Sequence, residues 1–303
     1  MKLKLNVNIN NNLAIGTIFL LIVLLSLYKN GINQSFIKND RLISCNENCS
    51  KKNFQAKMMT FNIRCASAND SDNSWNNRKD ICLQIIEKHN PDIVGLQEVE
   101  YFQLKEFLER FPNYKYVGDG RNGNNNGEMN PILFKEKFYS IRIGTFWLSD
   151  TPDKPASRSY GNRLPRICTW SEFKNVESDE IFYFFNTHLD HESHEARIKG
   201  IKQIINFIGD KKKVILTGDF NNYKEFSDEI NEVIANNFID SYRFIHPNEI
   251  NSGTYHSFTG NSNNSKIDYI FIRSFQVENS AIIKDNKNGK YPSDHFPVDA
   301  IVK

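Results

Sequence analysis

Several short apolar runs in this chain end in a carboxylate, an amide or an imidazole. Asn62 follows MMTF, Glu98 follows IVGLQ, and His188 sits in FFNTHLDH. Asp219 and Asn221 lie in LTGDFN, Asp268 in KIDYIF, and Asp294-His295 in SDHFPV. Glu98, Asn62, Asp219 and Asp268 are hard oxygen donors, without a thiolate or a compact histidine cluster, a set suited to magnesium or manganese rather than zinc. His188 and His295 titrate near neutral pH and can stabilise and protonate a reacting phosphate in turn. An aspartate beside a histidine, either Asp294 or a folded-in Asp268, can fix the tautomer of His295. A divalent cation with an Asn/Asp pair holding water serves hydrolysis of a phosphate ester. There is no Gly-rich cradle of the triphosphatase kind and no Gly-x-Ser-x-Gly elbow, which argues against transfer from ATP and against a serine hydrolase.

The elements that would carry these residues alternate strand and helix. Apolar runs predict strands at Ala56–Ile63, Asp92–Leu96, Pro131–Phe134, Phe138–Trp147, Ile167–Phe173, Ile181–Thr187, Val214–Thr217, Ile267–Ile272 and Val298–Val302. Ile81, Cys82, Ile85 and Ile86 recur at helical spacing over Arg78–His89, and Asn90-Pro91 stops that helix. Further helices are predicted over Tyr101–Arg110, Ser193–Ile208 and Glu225–Ala235. An apolar run ending in a polar group puts that group at a sheet rim, where several can converge. Interleaved helices early and late, around an antiparallel-looking middle, suggest mixed sheets flanked by helices in one α/β domain.

Composition narrows the class. At 303 residues and 39% hydrophobic, the chain can bury a sizeable core and is not wholly disordered. Lys+Arg 38 against Asp+Glu 36 leaves a net charge of +2, which makes no strong case for a polyanion partner. Five cysteines are too few and too irregular for a disulfide scaffold, although Cys45 and Cys49 could pair in an oxidising compartment. From Leu5 to Tyr28 there is no charged residue, with Lys2 and Lys4 before the stretch and Lys29 after it. Residues 1–29 therefore read as a single-pass signal-anchor helix, or alternatively as a cleaved signal peptide. Either delivers the rest of the chain to a lumen or the outside. Residues 30–54 read as a polar linker, and 55–303 as the domain expected to carry the chemistry.

In order along the chain, TFNIR (Thr60–Arg64), GLQEV (Gly95–Val99), GEMNPILF (Gly127–Phe134), NTHLDH (Asn186–His191), TGDFN (Thr217–Asn221), IDYIF (Ile267–Phe271) and SDHFPV (Ser293–Val298) resemble the endonuclease/exonuclease/phosphatase superfamily. TFWLSDTPDKP (Thr145–Pro155) with LPRICTW (Leu164–Trp170) is similar to a branch of Mg-dependent hydrolases related to the nocturnin/deadenylase group. The resemblance implies a DNase-I-like four-layered α/β sandwich, two packed mixed sheets flanked by helices. It implies Glu98 as main metal ligand with Asn62, Asp294 supporting the metal shell, and Asp219 orienting or deprotonating the attacking water. Asn221 would bind the scissile phosphate. His295, held by Asp268, would be base or transition-state stabiliser, and His188 would hydrogen-bond a phosphate oxygen or protonate the leaving group. Glu128 matches a glutamate that orients a catalytic histidine, and Arg166 would contact phosphate.

Specificity in this superfamily lies in loops, here Ala66–Asn77, Arg121–Glu128 and Ser149–Arg163. They leave nucleic acid, a phospholipid head group and a small phosphate ester all open as substrates. A catalytically inactive, membrane-tethered module of the same fold is the alternative to an enzyme. Trp75 and Tyr160 are read as packing against their own loops rather than stacking on a base. A monomer is the expected state.

Overall fold

The computed structural model describes residues 52–303. The uncharged stretch 5–28, the linker cysteines Cys45 and Cys49, and most of the linker lie outside the described residues. No helix among the described residues is long and apolar enough to cross a membrane.

Strand β1 (Ala56–Asn62) shows why the apolar runs lack a polar face. Met58 packs into one cluster while its neighbours Met59 and Phe61 pack into another, so both faces are covered. Strands β2 (Ile93–Gln97), β3 (Tyr114–Val117) and β4 (Ile132–Lys135) follow in the same sheet, and β5 (Phe138–Trp147), β6 (Ile167–Asn175), β7 (Ile181–His188) and β8 (Val214–Asp219) build a second. Strands β9 (Ile239–Asp240) and β10 (Asp268–Arg273) complete the second sheet, and β11 (Val277–Ile282) with β12 (Val298–Val302) complete the first. The orders are β11-β12-β1-β2-β4-β3 and β5-β6-β7-β8-β10-β9. Each sheet is mixed, with a single parallel pair at its centre: β1 with β2, and β7 with β8.

The two sheets pack face to face. Met58, Ile93 and Val298 of the first meet Phe182, Phe184, Ile215 and Ile270 of the second in one buried cluster. Outside them lie helices. Helix α1 (Trp75–His89) and α2 (Tyr101–Arg110) cover the first sheet through Ile85, Ile86, Leu104 and Phe107. Helix α3 (His194–Ile208) and α4 (Asp228–Ala235) cover the second through Ile201, Ile204, Ile230 and Val233. Two packed mixed sheets flanked by helices are thus present as expected. Helix α1 ends at Asn90 in the left-handed conformation (φ 47°) ahead of Pro91, and α3 is started by Ser193 Oγ, which accepts the Ala196 amide at 3.1 Å.

Differences from the expected elements have physical causes. Helix α1 starts at Trp75 because its indole packs on Phe107 and donates to Glu106 at 2.6 Å. Strand β11 (VENSAI) is an edge strand paired only with β12, so its outward residues stay polar. The five-residue helix α5 (Ser241–Ile245), capped by Asp240, is too short for a periodic signal.

Between the sheets runs a buried polar seam. Gln97 Nε2 donates to Thr60 Oγ1 and to Asn186 Oδ1, and Asn186 Nδ2 donates across to the carbonyls of Leu96 and Pro131. Thr217 Oγ1 donates to Asn186 Oδ1 at 3.1 Å. Gly95 makes room for this seam, since a Cβ there would stand 2.5 Å from Thr217 Oγ1 and 2.6 Å from Asn186 Oδ1. Gly95→Ala should therefore destabilise the fold by about 1–3 kcal/mol in urea unfolding. An unchanged midpoint would mean that the seam yields freely.

Candidate functional site

The polar strand ends meet in one cavity of about 300 Å³. Register explains part of the convergence. His188 ends β7 opposite Asp219, which ends β8, and Asp219 stands opposite Asp268, which begins β10. Three chemical groups thus share one row across the second sheet. The first sheet contributes Asn62 at the end of β1 and Glu98 just past β2, and the segment before β12 supplies Asp294 and His295.

Asn62 ties the two sheets' acids together. Its Nδ2 donates to Glu98 Oε1 at 3.1 Å and to Asp219 Oδ2 at 3.0 Å, while its Oδ1 accepts the Arg64 amide. Only this orientation satisfies all three contacts, so the oxygen expected to face a cation is turned to the backbone. Glu98 sits in the left-handed region (φ 57°), an uncommon conformation for a side chain of this size. The Cys65 amide donates to its Oε2 at 3.2 Å, and Arg64 Nη1 stands 3.8 Å from the same oxygen. Burial pushes the Glu98 carboxyl up, but the Asn62 hydrogen bond and the nearby His295 and Arg64 charges leave it below its usual range.

His295 Nδ1 bonds Asp268 Oδ2 at 2.8 Å, leaving Nε2 facing Asp219 Oδ2 at 3.8 Å and Asp294 Oδ1 at 4.0 Å. Burial opposes its charge, yet Asp268, Asp294 and Asp219 hold the imidazolium well above the ordinary histidine range. Burial and the neighbouring Asp268 charge raise Asp219 to about 7, and burial also raises Asp294. Asp219, Asp268 and His295 present ligand atoms within 4.8 Å of one another.

Two expected roles look different in place. Asn221 (φ 50°) lines the cavity, but its Nδ2 donates to the Leu189 carbonyl at 3.0 Å and to His188 Nε2 at 2.9 Å. A direct phosphate contact through those hydrogens would require the amide to turn. Because an amide nitrogen only donates, His188 Nε2 accepts and its proton sits on Nδ1. Burial, with the Arg166 and His295 charges, keeps this ring neutral, well below its usual range. His188 is thus built to hold Asn221 rather than to give a proton from Nε2. Glu128 lines the cavity too, but its partner is Arg121, at 2.7 and 2.9 Å, not a histidine. Arg166 is 5% exposed and bonds Asp190 and His191. Trp75 and Tyr160 are spent on packing: Trp75 in the core, Tyr160 under Lys199 with its hydroxyl on Asp150.

Sequence reasoning passed over four residues. Arg64 (φ 60°) bridges Asp70, Glu98 and Asp294. Arg78 is buried on α1 and donates to the carbonyls of Ile63, Arg64, Asn73 and Pro292, pinning the end of β1 to the segment bearing Asp294 and His295. A signal existed, since Arg78 falls on the same helical stripe as Ile81, Cys82 and Ile85. Arg121 and His191 also line the cavity, and nothing in their spacing marked them.

The donor set fits a divalent cation. Around Glu98, Asp219, Asp268 and Asp294 stand one guanidinium, Arg64, already shared with Asp70, the charged His295 ring and the His188 ring, which is held neutral. That buried excess of negative oxygen is the charge a hard dication neutralises. Paired strand ends carrying an acid–imidazole cluster between packed sheets define a hydrolase fold. A model of the Endonuclease/Exonuclease/phosphatase family matches residues 59–295, and the chain belongs to that family.

Its relatives fit this placement. An endonuclease/exonuclease/phosphatase family protein from Bacteroides thetaiotaomicron is 32% identical, with TM-score 0.76, covering 84% of this chain and 96% of that one. The mannosyl-6-phosphatase of the same organism is 32% identical, with TM-score 0.74, covering 82% and 99%. The human Nocturnin catalytic domain, at 18% identity and TM-score 0.65 over 82% and 94%, shares the fold. In sequence, an uncharacterized protein of Acanthamoeba polyphaga mimivirus is 35% identical over 165 residues, 48% of this chain and 59% of that protein's length.

Asp268→Asn should replace the charged acceptor of His295 Nδ1 with a neutral amide, withdraw the charge that holds the imidazolium, and lower turnover by about 10²–10⁴. The melting temperature should hold or rise, because one crowded carboxylate is gone. A lower melting temperature with unchanged turnover would make Asp268 a structural residue.

Proposed function

We propose that this protein is a divalent-metal-dependent phosphoester hydrolase acting on a small phosphate ester. The observation that carries this reading is the convergence of Glu98, Asp219, Asp294 and His295 on one cavity, with Asp268 behind the His295 ring. Magnesium or manganese would be held by Glu98 and Asp294, with Asn62 fixing the Glu98 carboxylate. When bound, the cation supplies positive charge to the phosphoryl oxygens.

The chain's own groups divide the remaining work. Asp219 orients the attacking water and takes its proton as the water oxygen bonds phosphorus. The phosphorus–oxygen ester bond breaks, and the departing oxygen takes the proton of His295 Nε2, which Asp268 keeps aligned through Nδ1. Water and ester become alcohol and inorganic phosphate. Asn221, steadied by His188, lines the phosphate side of the cavity, and Glu128 keeps Arg121 in place.

Support for a small ester comes from the volume of the cavity, at the low end for ligand pockets, and from the chain's nearly balanced charge. A mannosyl-6-phosphatase among the 32%-identical structures agrees with it. Nucleic acid and phospholipid head groups are the competing substrates. We further propose that the uncharged stretch 5–28 anchors a monomer in a membrane with its catalytic domain lumenal or extracellular, or is cleaved to release it. Recovery of the full chain in the cytosol, with none in membranes or medium, would contradict this placement.

Glu98→Gln should raise the magnesium midpoint of hydrolysis by about 10–100-fold. A midpoint that does not move removes Glu98 from the ligand set. Asp219→Asn should cut turnover by about 10²–10⁴ at saturating metal. If wild type and Asp219→Asn are equally inert on every phosphate ester tried, the protein is a binding module and not an enzyme.

A further inference from the structure

Beyond the phosphate-handling groups, the cavity has a second kind of wall. Arg121 and Glu128 form a two-pronged pair there, with Arg121 Nη2 at 2.7 Å from Oε1 and Nη1 at 2.9 Å from Oε2. The pair is braced: the Trp147 indole donates to the Arg121 carbonyl at 2.7 Å, and the Arg121 amide donates to the Glu128 carbonyl at 2.9 Å. Beside it, buried Arg166 donates through Nε to Asp190 Oδ2 at 3.3 Å and through Nη2 to His191 Nδ1 at 2.7 Å. A side cleft of about 10 Å³ lies between Arg121, Glu128, Arg166 and His188, so the two arginines border one space.

Charge decides what this wall suits. Each arginine is matched by its own acid, Glu128 or Asp190, so no spare cation remains for a second phosphate or a nucleic-acid backbone. Nor is the wall apolar, as a lipid chain would need. It offers fixed N–H donors next to carboxylate acceptors that have lone pairs left over. His191 adds a polar edge: Nδ1 accepts from Arg166, so the proton of the neutral ring sits on Nε2, 3.5 Å from Glu192 Oε1. Hydroxyl groups both donate and accept, and several on one ring match such an array. Tyr223 and Tyr255 line the same cavity and add aromatic surface of the kind that suits the C–H face of a sugar.

We propose that Arg121, Glu128, Arg166 and His191 form a subsite for the alcohol portion of the substrate, and that it selects a polyhydroxylated leaving group of hexose size. This assignment rests on the phosphoester-hydrolase reading and deepens it. It makes Glu128 a specificity residue that touches the leaving group.

The test compares kcat/KM of the full-chain protein with magnesium on a hexose phosphate and on nitrophenyl phosphate. In Glu128→Gln and in Arg121→Lys the ratio of hexose to aryl activity should fall by about tenfold or more, the worth of one hydrogen bond to a charged group. A ratio that stays within about threefold in both variants overturns the subsite. Should either variant fail to fold, wild type alone still decides: its KM for a hexose phosphate should lie about tenfold or more below that for glycerol phosphate, and equal values overturn the proposal. Hydrolysis of nitrophenyl phosphate without hexose phosphate sinks the subsite and leaves the hydrolase standing. No hydrolysis of either sinks both.

Discussion

A single side-chain amide holds this site together. Asn62 ends a strand of the first sheet, and its two N–H groups reach Glu98 on that sheet and Asp219 on the other. Two carboxylates of like charge are thereby fixed near each other by a donor between them, buried and without a charge of its own. The seam beneath, from Gln97 through Asn186 to Thr217, prevents the sheets from sliding and so sets where those carboxylates fall. A buried polar network of this kind is costly when half satisfied and rigid when complete. Arg78 finishes the frame by gripping carbonyls from the end of β1 and from the segment before Asp294.

The frame bears strain as well as charge. Arg64, Glu98 and Asn221 all occupy the left-handed region without being glycine, each at about 1–3 kcal/mol. Hydrogen bonds over-determine all three. The Arg64 carbonyl takes bonds from Arg78 and Gln103, Glu98 accepts from Asn62 and the Cys65 amide, and the Asn221 amide donates to Asp219 Oδ1. Such a site trades stability for geometry, and the apolar clusters on both sides of each sheet supply what it gives up.

Much of this was legible in the residues themselves. Strands covered on both faces, such as β1, β7 and β8, read as nearly unbroken apolar runs, and the nine predicted strands lie where the sheets have them. Edge strands escaped notice where solvent lets them stay polar or short, as with VENSAI in β11 and Ile239–Asp240 in β9, whereas the edge strand β5 is long enough to read. The site separates in the same way. Acids and imidazoles at strand ends announce themselves by type and place. Partnerships do not: Arg121 with Glu128, or Asn221 with His188, depend on which loops meet, and no periodicity encodes that. Hence the membership of the site was readable earlier than the jobs of Asn62, Asn221, His188 and Glu128.

The most direct check on this account is the initial rate of phosphate release from nitrophenyl phosphate at saturating magnesium, for the full chain and for His295→Ala. Wild type should turn over, and the variant should be slower by about 10³. Coinciding rates would contradict this, because the imidazole at the centre of the convergence would then have no part in the chemistry.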